Sequence, residues 1–272
     1  MGIRLRSITK ILYALIALSI IVLDCKAAPT PIENGETLVN PAEVIDAWSY
    51  YTPPPYQIEP ATEAGLSRDL VDYLNRHLTG AYRLKLQLIP KARLNFMIDQ
   101  GDRGIVLFTP DVVFGGEKDG RHLWSSILIG DRQEVLSRKD HPVDFTGPSS
   151  LYSVPLGCIL GHVYPVIQAD IDAGKIVCQR TSQESSLFQM LMHGHVAAIS
   201  LPSSTMRYFL KEDPKISNWL YVSAGNLGEF QRRLMFQKGM THERNDIDKI
   251  VQQMRFDPVW IAILVKYGLQ TP

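Results

Sequence analysis

The positions of apolar residues along the chain predict short strands separated by helices. In residues 83–89, Leu84, Leu86 and Leu88 alternate with polar side chains, which is typical of a strand with one buried face. Residues 104–108 are apolar without interruption, as strands buried on both faces are.

Helical spacing of leucines before the first of these runs predicts a helix over residues 66–78, and a second helix is predicted between the two runs, over residues 92–100. A second strand–helix series starts at residue 154 and extends to residue 200. Residues 243–267 then read as helical again. This repeated order indicates an α/β protein with mainly parallel strands.

The N-terminus has the layout of a signal peptide. Three basic residues precede an apolar run of thirteen residues (residues 11–23), and small residues follow at Ala27 and Ala28. We therefore expect residues 1–27 to be removed and the mature protein to be soluble in the periplasm. An uncleaved anchor is the alternative, although spanning helices need about 20 apolar residues. Residues 28–42, rich in Pro, Asn, Gly and Glu, are expected to form a flexible lead.

Composition excludes several classes of function. The chain has 28 basic and 28 acidic residues, and loss of residues 1–27 leaves 24 and 27. This balance gives no basic stripe for nucleic acid and no polybasic membrane patch. The histidines that flank Gly194 are too few for a metal site, and no motif for a metal or cofactor is present.

Two cysteines, Cys158 and Cys178, remain in the expected mature chain. An even pair in an oxidising compartment is compatible with a disulfide. Two buried free thiols are the alternative, because cysteine is often simply a small core residue.

Five segments, taken in order, resemble extracellular solute-binding proteins of family 3. They are PPPYQIE (53–59), GLSRDLVDYLNRHL (65–78), IPKARLNFMIDQG (89–101), GCILGHVYP (157–165) and FDPVWIAILVKYGL (256–269). Each motif alone is weak, but their order and spacing cover nearly all of the expected mature chain.

The resemblance implies the two-lobed type II periplasmic binding protein fold, in which two crossover strands join two α/β lobes. Lobe one would comprise residues 43–135 and 233–272, and lobe two residues 136–232. The ligand would lie in the cleft between the lobes, which closes like a hinge.

On lobe one, the resemblance places Tyr56 at a cleft aromatic position; packing in the core is the alternative. Thr109 and Asp111 follow the apolar strand, where open α/β sheets bind ligands, although a plain turn would explain them equally. Lys118 stands where the family's amino-acid binders carry an arginine for the ligand carboxylate. Lysine lacks the arginine fork, and a solvated lysine on a glycine-rich loop is the alternative.

On lobe two, Gly161 and His162 are expected at a helix start that offers N–H groups to an anion. Ser203 follows the strand that ends near residue 200. Residues 201–204 (Leu-Pro-Ser-Ser) hold no carboxylate where the family's amino-acid binders carry an aspartate for the ligand ammonium. The sequence therefore argues against a standard α-amino acid held in the usual way.

The resulting hypothesis is a monomeric binding protein that captures a small polar or anionic solute for an ABC-type transporter or a sensor kinase. One alternative is an enzyme on the same fold, resembling small-acid dehydratases, with Asp111, Glu117 or His162 as the acid or base. The other is a sensory or structural protein with a degenerate site. No cofactor is expected in any of these cases.

Overall fold

The computed structural model describes residues 43–80 and 82–271. The expected signal peptide (1–27) and lead (28–42) lie outside this part of the chain. Within it, no helix combines the length and the apolar character that a membrane span requires.

Nine strands and eight α-helices lie within the described residues. The strands are β1 (Glu43–Ser49), β2 (Tyr82–Leu88), β3 (Gly104–Pro110), β4 (His122–Trp124), β5 (Ile129–Arg138), β6 (Leu156–Ile159), β7 (Cys178–Thr181), β8 (Ala198–Pro202) and β9 (Leu220–Gln237). The helices are α1 (Leu66–His77), α2 (Lys91–Gln100), α3 (Gln168–Asp172), α4 (Glu184–Met192), α5 (Ser203–Glu212), α6 (Ile216–Trp219), α7 (Thr241–Met254) and α8 (Pro258–Lys266).

The strands form one sheet in the order β2-β1-β3-β9-β5-β8-β6-β7, and β4 pairs with β9 at the side. Three strands on each flank are parallel: β1 with β2 and β3, and β6 with β7 and β8. The two long strands between them, β5 and β9, are antiparallel to each other and to their outer neighbours. They join two α/β halves, as the sequence predicted.

Separate hydrophobic cores define the two lobes. The core of lobe one packs β1, β2 and β3 against α1, α7 and α8, with Leu70, Leu84 and Trp260 among its buried members. The cores of lobe two lie around β6, β8 and α4, with Leu156 and Leu187 at their centres. Helix α5 contributes to both, because Tyr208 packs in lobe one and Met206 in lobe two.

Most of the predicted elements are present, with shifted ends. The main difference is β9, which spans 18 residues, whereas the apolar pattern predicts a strand over residues 233–237 only. Its first half carries Gly225 and Gly228 among mixed polar and apolar residues, so no regular alternation announces it. The predicted boundaries between the lobes fall within β5 and β9.

Candidate functional site

A cavity of about 650 Å³ lies between the lobes. Lobe one lines it with Tyr50, Tyr51 and Val112, and lobe two with residues 159–166 and Glu184. The joining strands β5 and β9 contribute Gln133, Phe230 and Arg232. All three parts of the fold therefore converge on one space.

Arg232 is the most deeply buried charge beside the cavity, with 1% of the residue exposed. Its Nε donates to Asp131 at 2.7 Å, and one terminal nitrogen donates to the Phe108 carbonyl at 3.2 Å. The guanidinium also lies over the rings of Tyr51 and Tyr56, at 4.4 and 4.6 Å from their centroids. Such stacking stabilises a desolvated cation.

Asp131 receives a set of hydrogen bonds that holds its charge in the interior. The hydroxyls of Ser203 and Ser204 donate to its carboxylate at 2.8 and 2.7 Å, and the Ser204 N–H donates at 3.0 Å. Burial alone would raise the pKa of Asp131, but Arg232 and these donors bring it below its usual value. The buried pair is thus charged and fully supported by hydrogen bonds.

A small recess adjoins the cavity. Its polar side chains are those of Tyr51, Gln133, His162, Tyr164, Glu184 and Ser200, and the apolar residues Ile159, Leu201 and Pro202 complete its wall. The Gln133 amide donates to the Ser200 hydroxyl at 2.9 Å, and the Tyr164 hydroxyl accepts from the Ile159 N–H at 3.0 Å.

Two titratable groups of the recess have shifted pKa values. Burial lowers the pKa of His162 to about 4, and the positive charges of Lys91 and Arg232 act in the same direction. His162 is therefore neutral at neutral pH. Burial also raises the pKa of Glu184.

Apolar side chains surround the remainder of the cavity and are open to solvent. Val112 of lobe one is 65% exposed, and Val163 of lobe two is 62% exposed. Leu160 and Val166 are exposed beside Val163. We call these four residues the apolar rim. The cavity therefore combines a recess that holds several polar side chains with an apolar rim.

Of the seven predicted ligand-binding residues, Gly161 and His162 line the cavity. They occupy the turn that follows β6, where the polypeptide leaves the sheet. The other five residues lie elsewhere.

Tyr56 was predicted to form an aromatic wall of the cleft. The structure corrects this prediction, because only 1% of the residue is exposed. Its hydroxyl donates to Ser204 at 3.0 Å, and its ring lies between Phe108 and Arg232. The ring of Tyr51, packed edge-on against Tyr56 at 5.0 Å, lines the cavity instead. Tyr56 therefore supports the site from beneath.

Thr109 and Asp111 are also turned away from the cavity. A bulge in β3 shifts the register between Val106 and Thr109, and Phe108 adopts a φ of 49°. Thr109 is fully buried, and its hydroxyl donates to the Val106 carbonyl at 3.4 Å. The Asp111 carboxylate accepts from the backbone N–H of Gln231 at 3.0 Å, so it fixes a loop to β9.

Lys118 and Ser203 also differ from their predicted positions, since neither residue lines the cavity. Lys118 lies exposed on a short 3₁₀ turn, Glu117–Asp119. This turn is held on the surface because Glu117 pairs with Arg233 at 3.1 Å. Ser203 is buried against Asp131. Among the three candidates for acid–base catalysis, only His162 lines the cavity within the described residues.

Sequence reasoning missed Arg232, Asp131 and Glu184. The signal for Arg232 was present, because it alternates in phase with Leu234 and Phe236, both fully buried. A charge on the buried side of a strand demands a partner. No comparable signal marks Glu184, which opens an ordinary helix and reads as a first-turn acid.

Lobe two contains a disulfide between Cys158 and Cys178, whose Cα atoms are 5.6 Å apart. It ties β6 to its parallel neighbour β7. Within the residues that the structure describes, no three His, Cys, Asp or Glu side chains are grouped to hold a metal ion.

No protein-family model matches the sequence, and no curated protein matches it as a relative. Solved structures do match its fold. The GluR0 ligand-binding core from Nostoc punctiforme, in complex with glutamate, has a TM-score of 0.63 at 10% identity, over 83% of this chain and 98% of its own.

An ancestral arginine-binding protein bound to arginine has a TM-score of 0.62 at 16% identity, over 84% of this chain and 99% of its own. The substrate-binding protein of an amino acid ABC transporter has a TM-score of 0.59 at 16% identity, over 82% of this chain and 98% of its own. At such identities the likeness establishes the fold. The chain therefore has the two-lobed type II periplasmic binding protein fold that the sequence predicted.

Proposed function

We propose that the protein captures a small solute in the cavity between its lobes and presents it to a membrane transporter or a sensor. The observation that carries this proposal is the cavity itself, which is built from both lobes and from the strands that join them. A volume of about 650 Å³ lies within the roughly 300–1,000 Å³ of small-molecule sites.

Capture is favoured over catalysis because most acidic side chains near the cavity already form ion pairs or hydrogen bonds within the protein. Asp131 is committed to Arg232 and Asp111 to the backbone of β9. Glu117 pairs with Arg233 outside the cavity. His162 and Glu184 both line the recess, but among the described residues neither side chain forms a hydrogen bond with another acid or base, so no acid–base pair is assembled there.

We propose the role in transport or sensing by analogy with solved structures that share the fold. One of them serves an amino acid ABC transporter, and two others were solved with glutamate or arginine. For the present protein, a standard α-amino acid held in the usual way is disfavoured. Lys118 lies outside the cavity, and residues 201–204 supply no carboxylate.

We further propose that residues 1–27 direct export and that the mature chain works in the periplasm as a monomer. The lobes would meet near residues 135–136 and 232–233. Cell fractionation checks the first part: recovery of most of the protein in washed membranes would contradict it.

A thermal-shift panel of amino acids, organic acids, amines, polyamines and sugars tests the capture of a solute, because a ligand that binds only the folded state raises Tm. Calorimetry would then measure the binding of each solute that raises Tm, first to the wild type and then to Val163→Trp, which fills the cavity at its rim. The matched control is Val177→Trp, since Val177 is similarly exposed (59%) on the same lobe but lies outside the cavity.

We expect Val163→Trp to abolish binding of every solute that raises Tm, and Val177→Trp to retain it. Binding that survives in Val163→Trp would place the site elsewhere. A panel without a single binder would favour the sensory or structural alternative.

A further inference from the structure

The Glu184 carboxylate is an unneutralised charge in the recess. It lies close enough to Tyr51 and Tyr164 to influence them: burial raises the pKa of both tyrosines, and the charge of Glu184 adds to the effect. Among the described residues, no side chain forms an ion pair or a hydrogen bond with this carboxylate. Apart from a hydrogen bond with its own backbone N–H, this half-buried carboxylate keeps its capacity to accept hydrogen bonds from a ligand.

The positive groups around the cavity leave this charge uncompensated. The Arg232 guanidinium is neutralised by Asp131, with 2.7 Å between Nε and the carboxylate oxygen. His162 is neutral, because burial lowers its pKa to about 4. Lys91 lines the cavity but is exposed to solvent and lies outside the recess. Charge complementarity therefore calls for a cation on the ligand.

The surroundings of the recess call for an apolar body next to that cation. Tyr50, Tyr51 and Phe230 line the cavity with aromatic rings. The apolar rim adds three valines and a leucine that are exposed to solvent. Burial of this surface against an apolar or aromatic group stabilises a complex, because it removes apolar area from water.

We infer that the protein binds a small amine with an aromatic or apolar body, whose ammonium group pairs with Glu184 in the recess. This inference rests on the proposed capture of a solute in the cavity. Glu184 is then the residue that determines specificity, because the carboxylate selects a cation and rejects an anion of the same shape.

Four probes separate the parts of this inference by calorimetry. 2-Phenylethylamine carries the ring and the ammonium, phenylalanine adds a carboxylate, 3-phenylpropionate carries a carboxylate in place of the ammonium, and putrescine lacks the ring. We expect 2-phenylethylamine to bind at least about tenfold more tightly than each of the other three, because only it matches both the recess and the rim.

Glu184→Gln tests the role of the carboxylate, since the amide keeps the shape and removes the charge. Loss of a charge-assisted hydrogen bond should weaken 2-phenylethylamine binding by about tenfold or more. Glu212→Gln is the matched control, because Glu212 is an exposed glutamate that lines neither the cavity nor the recess. We expect it to change the affinity less than about twofold, as solvent-screened charges do.

Tighter binding of 3-phenylpropionate, an unchanged affinity in Glu184→Gln, or no detectable binding of 2-phenylethylamine would each overturn the inference. Glu184→Asp, which retracts the carboxylate by one methylene, serves if Glu184→Gln does not fold, and an unchanged affinity there would overturn it equally. Failure of the proposed function is distinguishable, because in that case Val163→Trp would leave the binding of every solute unchanged.

Discussion

At the scale of single residues, Arg232 and Asp131 form an ion pair whose two side chains are almost completely buried. Phe108 adopts a left-handed φ of 49°, which is unfavourable for a non-glycine residue. This conformation accompanies the hydrogen bond from Arg232 to the Phe108 carbonyl. Local backbone strain is thus tolerated where it satisfies a buried charge.

Replacement of Arg232 by methionine should leave the Asp131 carboxylate buried without its cation. Removing one partner of a buried pair destabilises by about 3–5 kcal/mol. Arg121→Met is the matched control, because the exposed Arg121 pairs with Asp119 on the surface, and solvent screens such pairs, so its loss of stability should be far smaller. Urea unfolding of the two variants checks the difference, and equal losses of stability would refute this account.

His162 should make stability depend on pH. Its pKa is about 4 in the folded protein and near 6.5 when unfolded, so protons bind the unfolded chain preferentially. Stability is then fully present above pH 6.5 and falls as the pH drops toward 4, by up to about 1.4 kcal/mol for each pH unit between the two pKa values. Glu184, whose pKa is raised by burial, acts in the opposite sense.

Comparison with His162→Gln isolates the histidine, because Glu184 is common to both proteins. The free energy of unfolding of wild type, measured from pH 7 to 4.5, should fall more steeply than that of the variant. His195→Gln, which alters an exposed histidine on the same lobe, should keep the wild-type slope. Parallel curves for wild type and His162→Gln would show that burial does not hold the imidazole neutral.

The site residues were predicted from the sequence in two ways, by general rules for α/β proteins and by resemblance to a family. The end of a parallel strand, a general location for ligands, predicted Thr109 and Ser203 at the cavity, but both are buried away from it. Gly161 and His162 were expected at a helix start, and they line the cavity from the turn after β6 instead. Tyr56 and Lys118 were placed by resemblance, and the packing around them differs: the proline loop turns Tyr56 under Arg232, and the glycine-rich turn holds Lys118 on the surface. Pairing across strands brings Asp131 to Arg232, which a linear pattern does not reveal.

At the scale of elements, β9 depends on a glycine at a close approach between chain segments. A Cβ atom on Gly225 would lie 1.9 Å from the Phe145 carbonyl oxygen. The Phe145 N–H donates to the Ser223 hydroxyl at 2.8 Å, and this bond anchors the loop on β9. The absence of a side chain at Gly225 therefore permits the loop to seal the core of lobe two.

Gly225→Ala should destabilise the protein by about 1–3 kcal/mol, the usual cost of overpacking. Gly239→Ala is the control, because no atom lies within 4 Å of its added Cβ, and its effect should stay within about 0.5 kcal/mol. Thermal and urea unfolding measure both variants. A neutral Gly225→Ala would mean that the loop at residue 145 shifts freely.

The disulfide between Cys158 and Cys178 should stabilise lobe two by closing a loop with a sequence separation of 20. The entropy of such a loop corresponds to about 3 kcal/mol. Peptide mass mapping of the purified protein, with and without reductant, detects the bond, and Cys158→Ala with Cys178→Ala measures its contribution. Two alkylatable thiols in unreduced, unfolded protein would contradict the bond.

Element-scale prediction succeeded where periodicity was strong and failed where tertiary contacts decide. The alternation in β2 and the apolar run in β3 were sufficient to find both strands. Helix α5 begins directly after β8, and the sequence pattern predicted no helix there, because its first turn consists of two serines and a threonine. The hydroxyls of its two serines are satisfied by Asp131, a contact that exists only in the folded molecule.

At the scale of the whole molecule, β5 and β9 are the joint between two separate cores. Their ladder is irregular, with register shifts between Arg132 and Glu134 and between Glu134 and Leu136. Gly228 in β9 has a φ of 120°, beyond the range of ordinary side chains. Irregular ladders bend more readily than regular ones, so rotation of the lobes would concentrate here.

Exposure of the apolar rim to solvent would favour rotation of the lobes toward each other. Val112 of lobe one and Val163 of lobe two are both exposed at the cavity, although burial of their side chains would be favourable. A ligand with an apolar body supplies the missing contact, and closure would then remove both valines from water. We therefore expect binding to shift the lobes toward a closed arrangement.

Spin labels at Asn95→Cys of lobe one and Gln189→Cys of lobe two measure this closure by pulsed electron resonance, because both residues are exposed and lie outside the cavity. Cys25 is replaced by serine, and Cys158 and Cys178 do not interfere when they are bonded to each other. Addition of the solute that gives the largest thermal shift should shift and narrow the distance distribution between the lobes. A control pair within lobe one, Val44→Cys with Asn95→Cys, should not change, since both sites belong to one lobe. An unchanged distance across the lobes, under conditions where calorimetry confirms saturation, would mean that the cavity binds its solute without closing, and the irregular joint between β5 and β9 would then have no part in capture.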